Sequence, residues 1–169
     1  MPRKTFVAGD VLTAADMNLL AQDGYIDNTD LATTAGQPGG AWASYTATWT
    51  NISNGTKTAA YMQLGKTVYM RAKFVVTTSP SVAGNFTVTL PVTATSDIQA
   101  SQFRASFYDV SATRTYPAMI HAVSTTALTI TAQQFPGLTD SYNATPSSTL
   151  PFTWATGDII EVAGTYEAA

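Results

Sequence analysis

The amino-acid sequence predicts a mainly β domain, an antiparallel β-sandwich or jelly-roll-like knob, preceded by a short helix and an extended linker. Three observations carry this. In TVYMRAKFVV (67–76), Val68, Met70, Ala72, Phe74 and Val76 fall on one face and Thr67, Tyr69, Arg71 and Lys73 on the other. That period of two is the mark of a half-buried strand. About eight such short segments follow one another with turn signals between them. No helical stretch separates them, so antiparallel pairing is expected.

The chain opens differently. FVAGDVLTAADMNLL (6–20) places Thr13 as a helix N-cap with Asp16 three residues on, and Leu12 where it can staple onto Met17. Ala14, Ala15, Met17, Leu19 and Leu20 favour helix, and Gly24 is a stop signal. A helix of about residues 14–22 is too short to hold without a packing partner. Residues 1–24 are therefore read as a docking segment whose contacts are Phe6, Leu12, Met17 and Leu20. The start is basic, but the apolar stretch breaks at Gly9-Asp10, too early for a signal core. Residues 25–41 end in Gln37-Pro38-Gly39-Gly40 and read as a linker.

The β domain occupies residues 42–169. Its expected strands begin with YTATWT (45–50), then KTAAYMQL (57–64), closed by a Gly65-Lys66 turn, then the strand at 67–76. NFTVTL (85–90) points Phe86, Val88 and Leu90 inward and stops at Pro91. SQFRASFYDV (101–110), TYPAMIHAV (115–123) and ALTITAQQF (127–135) follow, the last with Leu128 and Ile130 inward. A loop at 136–151 leads to the final strand, DIIEVAGTYEA (158–168). Trp49 and Trp154 are read as core or subunit-interface residues.

Composition removes whole classes of function. Cysteine is absent and His121 is the single histidine, so thiolate and His-cluster metal sites are excluded within one chain, and no cofactor is expected. Only 11% of residues are charged and the net charge is −3, which argues against nucleic acid. No run approaches the roughly 20 apolar residues of a membrane-spanning helix. QLGKTV (63–68) lacks the first glycine of a phosphate loop and runs into a strand rather than a helix. DGYIDNTD (23–30) lacks the spacing and the closing glutamate of a calcium loop. The carboxylates Asp97, Asp109, Asp140, Asp158, Glu161 and Glu167 show no spacing that forces a facing pair. His121 has no nucleophile elbow to serve. The chain is thus not expected to be an enzyme. Aromatic residues among Thr, Asn and Asp offer a different chemistry, stacking on sugar rings, and Trp42, Tyr69 and Tyr108 are the candidate glycan-binding residues.

Five stretches carry a family resemblance: TFVAGDVLTAADMN (5–18), TATWTN (46–51), NGTKTAAYMQLGKTVYMRAKF (54–74), VTLPVTA (88–94) and PFTWATGDIIEVAGTYEAA (151–169). In combination and order they resemble minor tail and tail-fibre-type virion proteins of phages that infect actinobacteria. The resemblance implies a virion structural protein and a homotrimer. It implies a β domain that faces outward, touching the host envelope or decorating the particle, and an N-terminal segment attached to other virion proteins. With the aromatic candidates above, the leading expectation is that the β domain binds a host-envelope glycan. It brings no catalytic motif that maps onto these residues. A decoration or cementing subunit with no receptor is the alternative, and a glycan-degrading tail enzyme the second.

Overall fold

The computed structural model describes residues 42–134 and 142–169. The expected helix, linker and docking residues Phe6, Leu12, Met17 and Leu20 lie outside the described residues. Among the described residues ten strands run in chain order: β1 (Ala43–Ser44), β2 (Trp49–Ile52), β3 (Gly55–Leu64), β4 (Thr67–Val76), β5 (Val82–Thr89), β6 (Phe103–Asp109), β7 (Arg114–Val123), β8 (Ala127–Gln134), β9 (Tyr142–Ala144) and β10 (Ile159–Glu167). All pair antiparallel in one sheet ordered β1-β3-β4-β10-β6-β7-β8-β5-β2, with β9 added to β8. The expected class, mainly antiparallel β, is what the chain adopts. The two packed layers are halves of one sheet curled into a half-barrel.

Local sequence explains the hairpins. Gly65 adopts φ +58° and Leu64 pairs with Thr67, so Gly65-Lys66 closes β3 onto β4 as a two-residue turn with glycine first. No helix follows it, which disposes of a phosphate loop there. At the β6–β7 turn, the Asp109 carboxylate accepts the Ala112 N–H at 3.0 Å and the Ser111 hydroxyl at 2.7 Å. These bonds hold its carboxyl below the usual range.

One expectation about elements is corrected. YTATWT is not one strand. The chain forms β1 against β3, leaves the sheet at residues 45–48, and rejoins as β2 on the opposite edge beside β5. Tyr45 spans the crossing: its N–H donates to Ala59 O, its ring meets Tyr61 edge-on at 6.0 Å, and its hydroxyl donates to Thr89 O at 3.2 Å. Regular pairing is interrupted in β7, where the register slips between Ile120↔Ile130 and Ala122↔Thr129, a bulge at His121.

The concave side holds the core. Val68, Met70, Phe74 and Val76 of β4 face Phe86 and Val88 of β5, Phe107 of β6, Leu128 and Ile130 of β8 and Ile160 and Val162 of β10, all buried. Trp49 packs on Phe74 at 5.7 Å, which brings the β2 edge over β4. Trp154, on the loop before β10, meets Phe86, Phe107 and Phe152 at 5.6, 5.5 and 4.6 Å and plugs the open side. Both tryptophans are thus core residues, 4% and 6% exposed. Burying each such ring contributes about 1.5–3 kcal/mol.

Tyr166 is 2% exposed, and its hydroxyl both donates to Val92 O at 2.8 Å and accepts from Val92 N at 3.2 Å. Tyr166→Phe orphans both groups and is expected to cost about 1–2 kcal/mol. Burial also pushes the Tyr166 phenol up to about 12. The folded chain holds this proton more tightly than the unfolded chain, whose tyrosines titrate near pH 10. The stability it contributes is therefore whole below about pH 10 and is lost as pH rises to about 12. Denaturant midpoints measured from pH 9 to 12 are expected to fall less steeply in Tyr166→Phe than in the wild type. Equal slopes would contradict this assignment.

Candidate functional site

The outer face of β3, β4, β10 and β6 is built by the residues that alternate with the core. Their register puts Ser44, Ala60, Arg71, Ala163 and Arg104 in one row across the sheet. Thr58, Lys73, Glu161 and Ser106 form the next. Small side chains at 44, 58, 60, 106 and 163 leave a low floor, and the long charged ones stand around it. The result is a solvent-open trough of about 720 Å³. A second hollow of about 360 Å³ adjoins it through Arg104 and Ala163 and is lined by Trp42, Tyr69, Gln102 and Thr165.

Trp42 is the pivot between the two. It stands just before β1, is 44% exposed, and lies with its ring 4.5 Å from the Arg71 guanidinium carbon. Stacking of this kind fixes both side chains and is worth roughly 0.5–1 kcal/mol at an exposed site. Lys73 Nζ lies 3.8 Å from Glu161 Oε1. Both groups are well exposed, so the pair sets local charge far more than stability.

Of the three aromatic candidates, the structure brings Trp42 and Tyr69 together in the smaller hollow. Tyr108 shares the outer face but pairs with Ile159, three rows from the Tyr69–Thr165 row. At about 3.3 Å per residue that is about 20 Å away, and Tyr108 lines neither hollow. Sequence reasoning missed the cations. The alternation of β4 already turned Arg71 and Lys73 outward, but nothing local indicated that Arg104 sits one strand beyond Ala163.

Chemically the trough offers two guanidinium groups, an ammonium and one carboxylate, and the adjoining hollow adds two aromatic side chains. Hydrolysis by paired carboxylates requires a second acid, and Glu161 is the single carboxylate among the described lining residues. Asp158, fully buried, is spent on structure: its carboxylate accepts Val110 N at 3.0 Å and Ala155 N at 2.6 Å. Among the described residues no group of three or more His, Asp or Glu side chains is placed to hold a metal ion, and no helix is long and apolar enough to cross a membrane.

Exposure differs sharply among the three tryptophans, which gives a direct check on the site. Acrylamide is expected to quench Trp42 readily and to leave Trp49 and Trp154 nearly untouched. Trp42→Phe should remove the steeply quenched component and shift the remaining emission to the blue. Unchanged quenching in that variant would place Trp42 away from solvent and overturn the trough geometry.

No protein-family model matches the chain, and no curated protein and no solved structure matches it either. The chemistry of this face therefore rests on its own residues.

Proposed function

We propose that the chain is the β knob of a phage virion appendage, a homotrimeric tail-fibre or tip protein that binds a host-surface glycan and has no catalytic role. One observation carries the binding part. Trp42 and Tyr69, singled out as sugar-stacking residues, share an open hollow that runs into a polar trough. Sugar recognition asks for this combination, an aromatic face for ring C–H groups and a polar surround for hydroxyls. The virion part is supported by the sequence resemblance, carried by one stretch in the N-terminal segment and four in the β domain.

In this reading residues 1–24 attach the knob to a neighbouring virion protein through Phe6, Leu12, Met17 and Leu20. The assembled particle resides outside the cell after being built in the host cytoplasm. The glycan and the attachment use separate parts of the chain, so each can be broken alone.

Binding of purified trimer to host-envelope polysaccharide tests the glycan. Trp42→Ala is expected to weaken it at least tenfold, the scale of losing a stacked tryptophan anchor. No binding by wild-type trimer would favour a decoration subunit without a receptor, and release of reducing sugar would favour a tail enzyme.

Leu12→Asp combined with Leu20→Asp tests the attachment. The doubly substituted full chain is expected to fold its β domain normally while its incorporation into particles, read by immunoblot of purified virions, drops more than tenfold. Normal incorporation would remove the anchoring role from this segment.

A further inference from the structure

We propose that the saccharide held by the outer trough is anionic, with its acid group between Arg71 and Arg104. This rests on the reading of the trough as a glycan site and names the class of glycan it takes.

The distribution of charge makes the case. Residues 42–169 contain six cations (Lys57, Lys66, Arg71, Lys73, Arg104 and Arg114) and six acids (Asp97, Asp109, Asp140, Asp158, Glu161 and Glu167). The β domain is therefore neutral, and the chain's net −3 comes from residues 1–41. Three of the six cations nevertheless line one trough, against one acid. Three of the other acids are committed elsewhere. Asp109 and Asp158 accept backbone N–H groups at turns, and Asp97 accepts the Gln99 amide.

Within the trough the pairing is incomplete. Glu161 is matched to Lys73. Arg71 and Arg104 then face solvent with no ion pair to any described residue. They flank Ala163 on the two strands that sandwich β10, one on each side. Two inter-strand spacings put their backbones about 10 Å apart. Only the alanine methyl rises between them, so the gap is open. Two like charges on one small patch repel each other until an anion enters, which turns a cost into a contact.

The residue type sharpens the inference. The Arg71 guanidinium carbon lies over the Trp42 ring, 4.5 Å from its centroid. A guanidinium edge matches the two oxygens of a carboxylate or phosphate, which an ammonium does not. Trp42 is 44% exposed, which leaves aromatic surface for a sugar ring. An uronate residue or a phosphodiester-linked sugar satisfies both demands at once; a neutral glycan leaves the arginines unused.

The test uses full-length trimer and three immobilised polymers: polygalacturonate, poly(glycerol phosphate) and neutral dextran. Binding to at least one anionic polymer and not to dextran is expected, weakening as NaCl is raised from about 0.05 to about 0.3 M. The carboxylate and phosphate arms identify which acid group is preferred. Arg71→Gln and Arg104→Gln should each weaken binding about tenfold, the scale of one charge-assisted contact. Lys66→Gln, in the β3–β4 turn, should leave it unchanged. Melting temperature and sedimentation confirm that every variant is folded and trimeric. Equal binding to dextran, or indifference to both arginine substitutions, overturns the anionic assignment and leaves a glycan site. Failure to bind any of the three also overturns it, and retained binding to host envelope would then preserve the glycan reading alone. Loss of both envelope and polymer binding defeats both readings. Dissociation of the trimer in the arginine variants would assign the face to contact between copies and overturn the proposal.

Discussion

The structure depends on where its last strand goes. β10 enters the middle of the sheet and pairs with β4 along its whole length and with β6 from Ile159 to Gly164. Without it the β3–β4 hairpin and the β6–β7–β8 meander share no hydrogen bonds. Its inward row, Ile160, Val162 and Tyr166, closes the core. Its outward row, Glu161, Ala163 and Thr165, contributes to the floor and rim of the trough. Gly164 makes the insertion possible. A Cβ at that position would lie 2.2 Å from the Phe103 ring and 2.7 Å from Gln102 O. The bare backbone lets Phe103 lie across β10 against Tyr166, at 5.9 Å, so the ring fills the place of the missing side chain.

Curling the sheet creates a second requirement, closing the open side. Two non-strand segments do it with aromatics. Residues 45–48 cross between the sheet's edges, anchored by Tyr45, and the loop before β10 supplies Phe152 and Trp154. The end of that loop is secured by Asp158. Its backbone accepts Val76 N at 2.9 Å while its carboxylate takes Val110 N and Ala155 N, so one residue joins β4, the β6–β7 turn and the loop. A buried carboxylate is tolerable only when its oxygens are met by donors in this way. The same loop position fixes where β10 begins, which links the clasp to the central pairing.

Much of the β domain was legible locally. Alternation in 67–76 assigned the inward and outward faces of β4, because a period of two is a direct consequence of the pleat. The burial of Phe86, Val88, Leu128 and Ile130 followed the same rule, and Gly65-Lys66 announced its hairpin. Topology was not legible in that way. YTATWT reads as one strand, since no residue in it forbids extension; the break arises because the segments holding Tyr45 and Trp49 join opposite edges of the sheet. The site was half legible for the same reason. Trp42 and Tyr69 stood out by residue type, but Arg104 joined Arg71 only through the insertion of β10 between their strands. Tyr108 looked equivalent to Tyr69 by type, and register separates them.

The alternation of β4 and β10 also divides the work between the two faces. Core side chains and trough side chains sit on the same strands, one residue apart, yet they answer to different physics. Val68, Phe74, Ile160 and Val162 are buried and close-packed, where loss of a few methylene groups costs several kcal/mol. Arg71, Arg104, Lys73 and Glu161 stand in water, where charges contribute little to folding and much to what is attracted. The Lys73–Glu161 pair shows the point. At 3.8 Å and well exposed it adds at most about 1 kcal/mol, but it cancels one positive charge beside Arg71. Removing or reversing that pair would change the field of the trough without disturbing the row of side chains behind it. A face of this kind can change its charge and shape by single substitutions on the outer row, while β10 continues to hold the sheet together from the inner one.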